Sequence, residues 1–233
     1  LEAGLQLLES KITNGDSLFP HQSTSVSRLT TEDKMLYSWT IHHFHLGTTL
    51  DNRGFIQRTG PVLFAFVTDD AVYMIDIKPH GSWSDKGLIQ KLYDNWPQLL
   101  ESWKVDGEPV VNFGSEEIKE LRKANVNTIL MLDDGSSFVG PGFGVTTAGT
   151  PADASLKVGD IFRHMDRFVR DLKKDPSDFL RTIYSEEEIN QMTEVSFDFH
   201  LEVTKDYEVL AVDSIHGIYQ VFFKQQMFLK DKK

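Results

Sequence analysis

Residues 61–77 read PVLFAFVTDDAVYMIDI, two apolar runs on either side of Thr68-Asp69-Asp70. Two short runs joined by so polar a break predict a β-hairpin. In a strand successive side chains point to opposite faces. The first run is apolar on both, with Leu63, Ala65 and Val67 on one side and Val62, Phe64 and Phe66 on the other. Such a hairpin, both strands included, is expected to lie centrally in its sheet, covered on both faces, rather than at a wet edge.

Ionisable residues crowd this apolar pair. The stretch Trp39 to Gly81 holds four of the eight histidines, His42, His43, His45 and His80, together with Arg53 and Arg58. Met35 to Leu46 is expected to be extended, which puts His43 and His45 on one face and His42 on the other. The two ends of a hairpin are adjacent, so Arg58 ahead of it and His80 behind it fall close together. An imidazole gives or takes a proton near neutral pH, and a guanidinium clamps phosphate and offsets developing negative charge. His43, His45, Arg58 and His80 are therefore the candidate catalytic set for cleaving RNA without a metal. Arg53 is an auxiliary phosphate contact, and Tyr73 and Trp83 are candidate base-stacking residues. Two other readings stand beside this one. His43 and His45 as a His-x-His pair suit a transition metal, with His80 or Asp76 as third ligand, which makes a metal-dependent hydrolase. The aromatic surplus and acidic surface suit a non-enzymatic module that binds a protein or self-assembles.

Working outward, Leu5, Leu8 and Ile12 mark a short amphipathic N-terminal helix, followed by a polar linker to residue 34. Leu88 to Trp103 reads as a helix kinked or restarted at Pro97. The turn-rich DGEPVVNFG suggests a boundary near Asn112. Beyond it come a helix capped by Ser115, a strand in VNTILML, and a Gly/Pro/Ser/Thr-rich stretch, Asp133 to Asp153, expected to be a mobile lid or disordered. A helix capped by Asp160 carries the stripe Ile161, Phe162, Met165, Phe168, Val169 and Leu172, with Asp166 and Asp171 pairing to its basic residues. Ser185 and Glu188 form a capping box. Three strands (195–203, 207–212 and 218–223) and a frayed KDKK end the chain. The expected class is α+β, in two compact units, each a small, mainly antiparallel sheet packed with helices. Residues 1–34 lead in, 35–112 form the hairpin-centred unit, and 113–233 form the second.

The 233 residues carry a formal net charge of -11, with 40% hydrophobic and 25% charged residues. Residues 1–112 hold 9 Lys and Arg against 14 Asp and Glu, and residues 113–233 hold 15 against 21. Neither part offers a broad basic face, so RNA is expected to be met only through a local cluster. There are no cysteines, which removes disulfides, thiolate metal sites and cysteine nucleophiles and fits a cytoplasmic location. No apolar run reaches the roughly 20 residues that span a bilayer, so no membrane is expected. The chain begins at Leu1 rather than Met, as a trimmed chain does, and shows no signal-peptide pattern. No Gly-Lys-Ser/Thr phosphate loop, Rossmann fingerprint or Gly-x-Ser-x-Gly elbow occurs, and no cofactor is expected.

NRGFIQRTGPVLFAFVTDDAVYMIDIKPHG, residues 52–81, resembles the core of the RelE-like mRNA interferase toxins over residues 36–103. There an arginine-bearing strand leads into an apolar strand, a tight turn, and a second strand ending in a basic or His-containing stretch. The resemblance implies a compact α+β fold, ribonuclease activity and an inhibitory protein partner. It implies Arg58 as the phosphate-binding arginine and His80 as the acid or base. Family members are short and basic; here the corresponding half is acidic and residues 113–233 have no counterpart.

Overall fold

The hairpin forms as its text demands. In the computed structural model, which describes residues 1–24, 33–107, 111–182, 184–192, 195–205 and 208–223, strands β2 (Pro61–Val67) and β3 (Val72–Pro79) pair antiparallel. Strand β1 (Ile41–His45) adds to the other side of β2, so β2 is central, but β3, expected to be central with it, lies at the edge and is only partly buried. Val62 to Phe66 are all buried.

Each face of this sheet has its own cover. Leu8 of helix α1 (Glu2–Asn14) packs with Phe44, Leu46, Leu63 and Ala65 on one side. The helix comes so close at Gly4 that a Cβ there would stand 1.8 Å from the Leu46 carbonyl oxygen. On the other side Ile41, Val62, Phe64 and Phe66 meet Leu88, Ile89 and Leu92 of helix α3 (Lys86–Asn95). Helix α3 stops before Pro97, and two short 3₁₀ turns, Pro97–Leu99 and Glu101–Trp103, carry the chain on.

The segment expected to be wholly extended, Met35 to Leu46, starts instead as helix α2 (Lys34–Trp39). Asp33 caps it, its Oδ1 accepting from Leu36 N at 3.0 Å, and Met35 and Trp39 turn one face into the core. The strand begins only after Thr40, a left-handed residue at φ 57° that reverses the chain.

Chain beyond Asn112 joins the same core. Helix α4 (Ser115–Lys123) contributes Ile118, and the strands β5 (Leu130–Met131) and β6 (Ser137–Phe138) contribute Leu130 and Phe138. With β4 (Lys104–Val105) these two form a second small antiparallel sheet in the order β4-β6-β5. The first compact unit is thus Leu1–Ser155, and the division falls at Leu156 rather than near Asn112. Only two residues of VNTILML are strand, and Gly114 rather than Ser115 caps α4; the Ser115 hydroxyl accepts from Lys86 N at 3.1 Å.

The glycine-rich stretch, expected to be a mobile lid or disordered, is packed against the fold. Gly142 N donates to Ser38 O at 3.1 Å and Gly144 N to Tyr37 O at 2.9 Å, which seats the loop on the last turn of α2. Its glycines make room for that backbone contact, and Phe138 and Val145 around them are buried.

The second unit, Leu156–Lys233, holds most of helix α5 (Ala152–Lys174), the short helices α6 (Ser177–Leu180) and α7 (Glu186–Gln191), and an antiparallel sheet of β7 (Phe199–Val203), β8 (Val209–Asp213) and β9 (Ile218–Phe223). Helix α5 starts eight residues before Asp160, which pairs with Arg163 instead of capping. Arg170 pairs with Asp166 at 2.9 Å, as the spacing predicts. Phe168 packs its ring on Phe179, Phe199 and Phe222, whereas Phe162 of the same stripe stays exposed. The Ser185–Glu188 capping box forms. Part of the polar linker (25–32), Glu108 to Val110, Tyr207 and the KDKK tail lie outside the described residues.

The chain is α+β, with helices and three small antiparallel sheets. Among the described residues no helix is long and apolar enough to cross a membrane.

Candidate functional site

Register decides which side chains meet. His43 lies opposite Phe64 and His45 opposite Val62, so both imidazoles share the α3 face of the sheet. The ladder continues past β3, with His80 N donating to Gly60 O at 2.9 Å, which returns His80 to the strand end where Arg58 enters. The rings converge: His43 and His80 are 6.2 Å apart, His45 and His80 5.6 Å, and His43 and His45 6.3 Å. Trp83, in the turn after His80, lies 4.4 Å from His43 and 4.8 Å from His80.

These groups border a cavity of about 480 Å³, lined by His43, Arg58, His80 and Trp83. Five cations, Lys34, Arg58, Lys119, Arg122 and Lys123, face it, against one carboxylate, Asp33. In a chain of net charge -11 this is a local reversal of sign. Arg58 reaches toward Thr24 Oγ1 at 3.4 Å, and among the described residues it has no carboxylate partner.

Asp33 serves two neighbours at once. While Oδ1 caps α2, Oδ2 lies 3.1 Å from His43 Nδ1. A ring nitrogen held this way fixes the orientation of the imidazole, as carboxylates do for histidines in catalytic triads. Burial pushes His80 below the usual imidazole value, and the charges of His43 and Arg58 push it the same way. His80 is therefore neutral at neutral pH, beside a histidine fixed on a carboxylate.

His45 sits behind the rim. It is 1% exposed, and among the described residues neither ring nitrogen has a hydrogen-bond partner. Burial, then the charges of His43, His80, Arg58 and His21, lower its pKa to about 4. His21, equally buried, donates through Nδ1 to the His45 carbonyl at 2.8 Å.

A stability prediction follows. His45 is neutral in the fold but takes a proton in the unfolded chain below about 6.5, so the unfolded state binds more protons. Stability therefore falls as pH drops from about 6.5 to about 4, by about 3 kcal/mol for this residue alone. His45→Phe should flatten that decline in urea midpoints taken between pH 7 and pH 4.5, although His21, shifted the same way, keeps part of it. Equal declines in both proteins would show that His45 does not carry the effect.

Other sequence candidates lie elsewhere. Arg53 is held on Asp51 at 2.7 Å in the β1–β2 connection and does not line the cavity. Tyr73 stands at the opposite end of β3 from His80, its ring against Trp96 at 5.5 Å. Asp76, the alternative third metal ligand, is engaged by Lys91 and Lys78. Among the described residues no group of three or more His, Asp or Glu side chains is placed to hold a metal ion.

Several residues at or behind the site escaped the sequence reading, Lys34, Lys119 and Lys123 among them. Asp33 had a signal, an Asp directly before a helical run. His21 and Arg122 had none, since only folding brings them here. Arg122 Nη1 donates to the Trp83 carbonyl, and burial pushes the guanidinium down to about 10 despite the attraction of Asp33.

No protein-family model, curated protein or solved structure matches the chain.

Proposed function

We propose that the protein is a ribonuclease-like toxin or defence protein that cleaves RNA by metal-independent acid/base catalysis. The observation that carries this reading is the meeting of His43, held on Asp33, with His80 and Arg58 in one cavity faced by five cations. The resemblance of residues 36–103 to RelE-like interferases supports it, and with it an inhibitory protein partner and a cytoplasmic RNA substrate.

His80, neutral at neutral pH, takes the proton of a 2′-hydroxyl. The 2′-oxygen attacks the adjacent phosphorus, the bond from phosphorus to the 5′-oxygen breaks, and His43 in its protonated form hands a proton to that oxygen. The products are a 2′,3′-cyclic phosphate and a 5′-hydroxyl. Arg58 offsets the charge gathered on the phosphorane. Trp83 stacks a base beside the scissile bond. His45 backs both catalytic rings from behind.

The test is cleavage of a labelled single-stranded RNA by purified protein in a chelator, followed across pH. The rate should rise along an acid limb below pH 6.5, where His80 loses its proton. RNA left intact at every pH, or cleavage stopped by the chelator, rejects the reading. Intact RNA that nevertheless binds tightly would leave a binding module.

A further inference from the structure

We infer that helix α4 supplies a second phosphate site in the same cavity, so that the ligand is a single RNA strand gripped at two successive phosphates. This rests on reading the cavity as a polynucleotide site, and it adds what selects the substrate: an internal position in a chain.

The cations come from two different elements. Arg58 enters from the connection into β2 and stands with His80. Lys119, Arg122 and Lys123 are spaced i, i+3, i+4 on α4, which places them on one helix face, and all three line the cavity. Trp83 joins the two groups, since its ring touches His43 and His80 while its carbonyl accepts from Arg122.

Arg122 is the telling member. It is partly buried and gives one N–H to the Trp83 carbonyl, and among the described residues it makes no ion pair. A guanidinium withdrawn from water without a carboxylate is poised for a planar, bidentate anion. Among the described residues the two lysines pair with Glu116 and Glu120, exposed neighbours one turn back on the same helix. Such surface pairs are weak, so both ammonium groups can turn to a phosphate at little cost. A cavity of about 480 Å³ exceeds what a lone phosphate needs and falls in the range of sites that enclose larger ligands.

The experiment compares two substrates and one uncleavable ligand. A dinucleoside monophosphate has the scissile phosphate alone; the same dinucleotide with a terminal phosphate offers the second. The wild type should prefer the second by roughly tenfold in kcat/KM. The Lys119→Gln/Lys123→Gln double variant, altered only at exposed positions, should lose most of that preference, and so should Arg122→Gln. Binding of a 2′-deoxy-oligonucleotide, which cannot be cut, is measured against salt. Each phosphate contact contributes about 0.7 to the slope of log K against log salt for a single strand, and the double variant should lose about that much. Equal preference and equal slope in wild type and double variant overturn the inference. An α4-dependent slope with no cleavage of any RNA supports the grip while rejecting the hydrolytic reading.

Discussion

His43→Ala protein is expected to cut RNA about 10²- to 10⁴-fold more slowly than wild type, the range that a positioned acid or base contributes. Three properties come together in His43 and in no other histidine of the described chain. It lines the cavity, its Nδ1 is held by a carboxylate, and its ring touches His80 and Trp83. The Asp33→Asn variant separates the chemistry from the fold. Asparagine also caps helices well, so α2 should survive, whereas the bond to His43 changes character. Its rate should fall less than that of His43→Ala. Expression in cells gives a second readout: the wild type should arrest growth and degrade RNA, while His43→Ala, Arg58→Ala and His80→Ala should do neither. Variants that fold normally and cut at the wild-type rate would remove His43 from the mechanism.

Gly140→Ala is expected to lower the stability of the first unit by about 3 kcal/mol or more, at the upper end of what overpacking costs. A Cβ at residue 140 would stand 1.9 Å from the Ser38 carbonyl oxygen and 3.3 Å from the Trp39 ring. Neither neighbour can give way easily. Ser38 O already accepts from Gly142 N, and Trp39 is 2% exposed in the main core. The strain reaches the site through α2, whose first residue follows Asp33 and whose end leads into β1. A lower urea midpoint together with weaker RNA cleavage is the expected pair of results. Gly135→Ala offers a comparison: nothing lies within 4 Å of its Cβ, but its φ of 84° is left-handed, so its cost is one of backbone strain alone. A Gly140→Ala protein as stable as wild type would mean that the loop packs less closely than this on α2.

The hairpin, the break at Pro97 and the Ser185–Glu188 capping box could be read directly from the text because each is a local matter. Two apolar runs around a polar turn, a proline without an N–H, and a serine three residues before a glutamate act within a few residues. The same locality made the meeting of Arg58 and His80 legible, since a hairpin carries its two ends together whatever surrounds it. Alternation likewise placed His43 and His45 on one face, once their strand was recognised.

Elsewhere the outcome depended on groups far apart in the chain. KMLYSW has no turn signal to mark it as helix; it coils because Asp33 caps it and because Met35 and Trp39 find the core. The glycines of residues 140–144 look like those of any flexible loop, and only the nearness of α2 explains them. The division of the chain lay beyond local text as well, because Ile118, Leu130 and Phe138 bury their surface against Phe64 and Leu92. Sequence alone thus settled the α+β class, the hairpin and the histidines that face one another. Tertiary structure chose their companions, the Asp33 carboxylate and the cations of α4. The physical reason is that hydrogen bonds of turns and caps are short-range, whereas burial and charge act on whatever the completed fold brings near.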